Sequence, residues 1–154
     1  IQAKHKILIF SNFTSHLDIY GNYFNEQNWK YARLTGSDSP SRRTKEIDKF
    51  NSDDACHLFL ISIKAGGVGL NLTAANYVFI LDPWWNPFIE NQAIARAYRI
   101  GQKKAITVIR FISKSSIEEK IQLLQAKKLK LVSHFTEIED SVLLQNENLK
   151  YIFE

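Results

Sequence analysis

Leu58-Phe-Leu-Ile-Ser-Ile63 is an apolar run that breaks into Lys64-Ala-Gly66-Gly67-Val-Gly69. A near-continuous run of this kind suits a strand covered on both faces, because alternate side chains then meet apolar neighbours on each side of the sheet. Comparable runs stand at Ile7 to Phe10, Tyr31 to Leu34, Tyr77 to Leu81 and Ile106 to Ile112. Helical patterns separate them. Leu17, Tyr20 and Phe24 fall at i, i+3 and i+7, with Thr14 or Ser15 as N-cap. Ser39-Pro40 sets an N-cap with proline in the first turn, and Ile47 and Phe50 form the apolar stripe that follows. Strand and helix therefore alternate. The pattern predicts a parallel, doubly wound α/β sheet of about five to six strands with helices on both faces, whose ligands gather at loops beyond the carboxyl ends of the strands.

The chain's 154 residues suffice for one well-buried core and not for two ordinary domains. Residues 1–132 read as the α/β unit and 133–154 as an acidic extension packed back on it. The long helix that closes the unit starts near Ser116. Ser115 and Ser116 each precede a glutamate by three positions, Glu118 and Glu119, so either forms a capping box. Ile117, Ile121, Leu124 and Leu131 mark one face of this helix, with Lys128 interrupting it.

Charge is distributed unevenly. Twenty basic and 16 acidic side chains give a net +4. Ten of the basic residues lie between Gln92 and Lys130, where Glu118 and Glu119 are the only acids. Five acids against Lys150 occupy the end from Ser133. The basic run fits a polyanion partner, or equally a solvated helix face. Cys56 is the single cysteine, which excludes an internal disulfide, and its neighbours offer no zinc spacing with His5, His16, His57 or His134. A reducing, intracellular setting fits that usage. No apolar run approaches the roughly 18 to 20 residues that cross a bilayer, so no membrane partner is expected. The absence of methionine points to a fragment of a longer chain.

Three segments carry the chemistry. In Gln92-Ala-Ile-Ala-Arg96-Ala-Tyr-Arg99-Ile-Gly-Gln102, a continuous helix puts Gln92, Arg96 and Arg99 on one face and turns Ile94, Ala97 and Tyr98 toward a core. Paired guanidiniums at that spacing repel unless an anion lies between them, which favours a phosphate; surface salt bridges are the plainer alternative. Gly66, Gly67 and Gly69 directly after a strand let the backbone approach a ligand, although the same residues serve a tight turn. No Gly-x-x-x-x-Gly-Lys-Ser/Thr loop is present. Finally, Asp82-Pro-Trp84-Trp85-Asn86-Pro87 brackets two indoles between prolines. Trp84 reads as the core anchor and Trp85 as the exposed ring, suited to stacking or wedging against nucleic acid.

Taken in order, these blocks resemble the second lobe of superfamily-two helicases in its Swi/Snf-type branch. The resemblance rests on Ile7 to Phe13, Leu34-Thr-Gly36-Ser37 with Arg43 and Phe50-Asn51, Ser62 to Leu72, Asp82 to Pro87, Gln92 to Gln102 and Ile117-Glu-Glu119. It spans residues 4–132, and Leu149 to Phe153 is similar to the end of many such cores. Trp-Asn-Pro and Arg-Ile-Gly-Gln set this branch apart from ordinary helicases.

The resemblance implies roles. Arg96 and Arg99 would reach the β- and γ-phosphates of ATP held by a first lobe, with Arg99 as arginine finger and Gln92 sensing the phosphate. Gly67 and Gly69 would line the nucleotide cleft, and Asn71 stands where related helicases keep an Asp for the ribose. Ser11, Asn12, Thr35, Gly36, Arg43 and Lys64 would touch the phosphate backbone of double-stranded DNA, with Trp85 beside them. Mg²⁺ would be held mainly by the first lobe, since the lysine loop and Asp-Glu pair for it are missing here, and the isolated chain would not hydrolyse ATP. Ala95 and Tyr98 replace the family's usual Asp and His, which affects contacts between lobes.

The resulting expectation is one lobe of an ATP-driven translocase on double-stranded DNA, partnered by the first lobe of the same polypeptide and acting on a DNA-bound protein. A non-catalytic nucleic-acid-binding or scaffold module with the same fold is the alternative; Arg96 and Arg99 weigh against it. A strand-separating or RNA-dependent helicase is disfavoured by Trp-Asn-Pro. The early end after the core favours a bacterial, cytoplasmic and nucleoid-associated protein, or a nuclear one if eukaryotic.

Overall fold

The computed structural model describes residues 5–65, 70–98, 102 and 105–150, the stretch from 134 onward as backbone alone. Five parallel strands form one sheet: β1 (Ile7–Ser11), β2 (Tyr31–Leu34), β3 (Leu58–Ser62), β4 (Tyr77–Ile80) and β5 (Thr107–Arg110). Their spatial order is β2-β3-β1-β4-β5. Every pair is parallel, with Ile9 facing Leu60 on one side and Phe79 on the other. The doubly wound sheet expected from the apolar runs is therefore present.

Residue alternation along the strands divides the core in two. Leu8 and Phe10 of β1 join Phe59, Ile61, Val78 and Ile80 on one face, where Phe50 of α2 (Pro40–Ser52) and Ala93 of α3 (Pro87–Ile94) cover them. Ile9, Leu58 and Leu60 face the opposite way, under Leu17 and Phe24 of α1 (Thr14–Glu26). Helices thus occupy both faces, which is why β1 and β3 are apolar up to their last residues, Ser11 and Ser62.

Helix ends agree with the sequence at α2 and depart from it elsewhere. Ser39 caps α2, its side chain accepting from Arg42 N, with Pro40 in the first turn. The N-cap of α1 is Phe13, which offers no side-chain cap, so neither Thr14 nor Ser15 has the expected role. Immediately before α4 (Ile117–Lys150), Ser116 Oγ accepts from Glu118 N at 3.1 Å, but Glu118 reaches back to Ser113 N at 2.6 Å. The expected reciprocal box is replaced by a wider one, because the chain turns at Ser115, whose φ is 57°.

The face of α4 that meets the lobe also differs. Of the expected face, Ile117, Leu124 and Leu131 are exposed and Ile121 is half-buried, and among the described side chains of this helix the buried one is Gln125. α4 runs without a break past Val132 and Ser133, where the sequence reading divides lobe from extension.

Candidate nucleic-acid and nucleotide site

All strands point the same way, so their carboxyl ends share one edge of the sheet, and the loops leaving it carry most of the residues selected from sequence. Asn12 follows β1, Thr35 and Gly36 follow β2, Lys64 follows β3 and Trp85 follows β4. The order of strands lays these loops side by side across β2, β3, β1 and β4.

Asp82 organises the middle of that edge. Its carboxylate is buried and accepts from Ser11 Oγ at 2.5 Å, from Asn12 N at 2.6 Å, and approaches His16 Nδ1 at 3.4 Å. Asn12 Nδ2 donates in turn to the Asp82 carbonyl at 3.1 Å. Ser11 is fully buried, so a phosphate cannot reach its hydroxyl in this arrangement. In this arrangement the Ser11 hydroxyl faces Asp82 and the Phe13 carbonyl, and half-buried Asn12 stands nearer the surface.

The loop after β2 is built on a second carboxylate. Asp38 Oδ2 accepts from Thr35 N at 2.6 Å and from Thr35 Oγ1 at 2.9 Å, and Oδ1 pairs with Arg42 Nε at 3.3 Å. Burial acts to raise the Asp38 pKa, but the two Thr35 donors, with Arg42 and Arg33, outweigh it and hold the group below the ordinary 3.8. Arg43 is tied to the same loop, its guanidinium donating to the carbonyls of Asp38 at 3.4 Å and Thr35 at 3.5 Å. Gly36 and Lys64 are exposed.

The Trp-Trp-Asn-Pro segment has a local logic that the sequence leaves open. Asn86 is the N-cap of α3, its Oδ1 accepting from Phe88 N at 3.1 Å, and Pro87 fills the first helical position where no donor is needed. Trp84 is half-buried and Trp85 is 51% exposed, so Trp85 is the more outward of the two rings. Glu90, which sequence reading missed, is only 1% exposed and gathers Trp84 N at 2.6 Å, Gln125 Nε2 at 2.8 Å and Arg110 Nε at 3.2 Å. A carboxylate in the first turn after an Asn-Pro cap was the available signal for it.

The arginine block is not one helix. α3 ends at Ile94, and Arg96 N to Ala93 O and Ala97 N to Ile94 O tighten the chain into a turn. Tertiary bonds account for the stop. Arg96 O accepts from Leu72 N at 3.2 Å, and Gln102 Nε2 donates to the carbonyls of Thr73 (3.0 Å), Ala75 (2.8 Å) and Ala97 (3.3 Å). Ala97 is buried as expected, whereas Tyr98 is 74% exposed rather than facing the core. Gln92 and Asn71 are exposed and Arg96 is half-buried. The Leu72 bond brings Asn71 beside the arginine turn. Arg99, Gly67 and Gly69 lie outside the described residues.

Residues 1–101 match the helicase conserved C-terminal domain. The chain is 46% identical over 131 residues to an uncharacterized ATP-dependent helicase of Schizosaccharomyces pombe, which covers 85% of this chain and 13% of the relative. It is 39% identical over 148 residues to the DNA repair protein RAD5A of Arabidopsis thaliana, covering 96% and 14% respectively. The crystal structure of the C-terminal part of the Fun30 ATPase domain superposes with a TM-score of 0.77 at 44% identity, covering 80% of this chain and 40% of that one. The chain belongs to the helicase C-terminal domain family, as the second RecA-like lobe of a Swi/Snf-type superfamily-two ATP-dependent helicase. It spans about a seventh of the length of the curated relatives it matches.

Proposed function

We propose that this lobe forms half of an ATP-driven translocase on double-stranded DNA, gripping the phosphate backbone and supplying arginines to ATP bound on a first lobe of the same polypeptide. One observation carries the reading: Asn12, Thr35, Gly36, Lys64 and Trp85 leave the carboxyl ends of four adjacent parallel strands along one edge. Polar loops so placed suit contacts that position the lobe without reading sequence. Arg43 and Lys64 supply charge, and Ser11 acts beneath Asn12.

On the nucleotide side, Arg96 and Arg99 reach the β- and γ-phosphates, with Arg99 as the finger; Gln92 senses the phosphate, while Gly67, Gly69 and Asn71 line the cleft. A guanidinium is suited to this task because it stays charged and can bond two phosphate oxygens at once. Among the described residues no group of three His, Cys, Asp or Glu side chains is placed to hold a metal. The lysine loop and Asp-Glu pair that would hold Mg²⁺ are not in this sequence, so in this reading the ion that accompanies ATP is held mainly from the first lobe, and this chain alone would not hydrolyse ATP. Its work is then at DNA, in nucleus or nucleoid, with a DNA-bound protein as the object moved; the DNA repair proteins among its relatives support the DNA part of this reading. Residues 133–154 extend the lobe proper, residues 1–132.

The test uses the full-length enzyme. Arg99→Ala should lower DNA-stimulated ATPase by about 10³-fold or more while DNA affinity changes little, as expected for removal of a finger. Unchanged turnover would make Arg99 a surface arginine and return the lobe to a binding or scaffold role.

A further inference from the structure

α4 meets the lobe through an unusual face. Gln125 is buried and Ile121 and Lys128 are half-buried, while Leu123, Leu124 and Leu129 are exposed. Positions 121, 125 and 128 recur at i, i+4 and i+7, so they share a side of the helix. Two of the three are polar.

Both polar residues end on the tryptophan loop. Gln125 Nε2 donates to the Trp84 carbonyl at 2.5 Å and to Glu90 at 2.8 Å. One turn on, the Lys128 ammonium stands 4.1 Å from the centroid of the Trp85 ring and donates to the Trp85 carbonyl at 3.4 Å. Glu90 holds Trp84 N from the other side and is itself anchored by Arg110. The loop is therefore clamped at Trp84 N, Trp84 O and Trp85 O, and only the Trp85 ring remains to be set. The Trp84 ring lies 6.2 Å from it at a tilt of 46°, and the nearer contact is Lys128, whose charge is attracted to the negative face of the indole. A helix docked for stability alone would bury the leucines that α4 leaves exposed.

We propose that Lys128 is a positioning residue for DNA translocation: from α4 it fixes the Trp85 ring in its outward pose and leaves the opposite face of the indole to the duplex. The proposal rests on the reading of Trp85 as a DNA-facing group. It also accounts for the lysine that interrupts the apolar pattern of α4, since methionine or leucine there would pack but would not orient the ring.

The experiment compares Lys128→Ala, Lys128→Met, Lys128→Arg and Trp85→Ala in the full-length ATPase, measuring displacement of a triplex-forming strand per ATP hydrolysed alongside the melting temperature. Lys128→Ala and Lys128→Met should lower that ratio roughly two- to fivefold, the shift in population that an exposed cation–π contact corresponds to. Lys128→Arg should restore it. If Lys128→Ala also melts early, the length-matched Lys128→Met decides. Normal coupling in Lys128→Met, with a defect in Trp85→Ala, overturns the positioning role of Lys128 and leaves the DNA-facing role of Trp85 intact. Normal coupling in Trp85→Ala removes that role, and the proposal with it.

Discussion

The carboxylate of Asp82 accepts the main-chain N–H of Asn12 at 2.6 Å, across 70 positions of sequence. Because β1 and β4 are hydrogen-bonded neighbours, the loops that leave them emerge side by side, and one buried acid can hold both. Asp82→Asn keeps the shape but sets an amide donor against either the Ser11 hydroxyl or the Asn12 N–H. Losing one charged hydrogen bond of this kind costs roughly 1.5 to 3 kcal/mol. Thermal unfolding should show that loss, and DNA titration should show weaker binding as Asn12 loosens. Wild-type values in both would mean that the pin does not set the loop.

Gly36 separates structural from functional need. A Cβ built there meets nothing within 4 Å, and its backbone lies outside the left-handed region that favours glycine. Gly36→Ala should leave stability unchanged or raise it by about 0.4 to 1 kcal/mol through the unfolded chain. If a phosphate approaches this loop closely, DNA affinity should fall all the same. Retained affinity in a well-folded Gly36→Ala protein would take Gly36 off the DNA path.

Gln102 pins the turn that carries Arg96, its amide bonding the carbonyls of Thr73, Ala75 and Ala97. Gln102→Ala should destabilise the fold by about 1 to 3 kcal/mol, the usual cost of leaving such groups without their partner. In the full-length enzyme its larger effect should fall on DNA-stimulated ATPase rather than on DNA binding, since the loop residues after β1, β2 and β3 are untouched. Equal losses in the two assays would contradict that separation.

Asp38 predicts an acid-side effect. Its pKa is lowered on folding, net of the burial that opposes the shift, so its carboxylate stabilises the native state above the unfolded value. That contribution fades as the pH drops below about 4 and disappears as it passes through the lowered folded value. The difference in melting temperature between wild type and Asp38→Asn should be present near neutrality and shrink on acidification. A difference independent of pH would show that the charge of Asp38 is not what holds Thr35.

Features set by near neighbours were legible in the sequence. The apolar runs at Leu58 to Ile63 and Ile7 to Phe10, the Ser39-Pro40 cap and the alternation of strand with helix depend on residues close in the chain, and each appears in the fold. The outward pose of Trp85 beside a more buried Trp84 was legible for the same reason, since prolines on both sides confine the loop. Features that depend on distant partners were not. Period alone carries α3 through to Gln102, yet it stops at Ile94, where Leu72 takes the carbonyl of Arg96 and Gln102 folds back on Thr73 and Ala75. Hydrophobicity selects Ile117, Ile121, Leu124 and Leu131 for the docked face of α4, of which Ile121 alone is half-buried. The structure selects Gln125 instead, because its amide finds Glu90 and the Trp84 carbonyl 35 and 41 positions away. Ser11 likewise passes for a surface hydroxyl until β4 brings Asp82 beside it. By itself the sequence determined the strands, the helices and the blocks that line the sheet edge. Only the tertiary structure decided which polar groups are buried and paired, since a buried donor must find its acceptor wherever the fold supplies one.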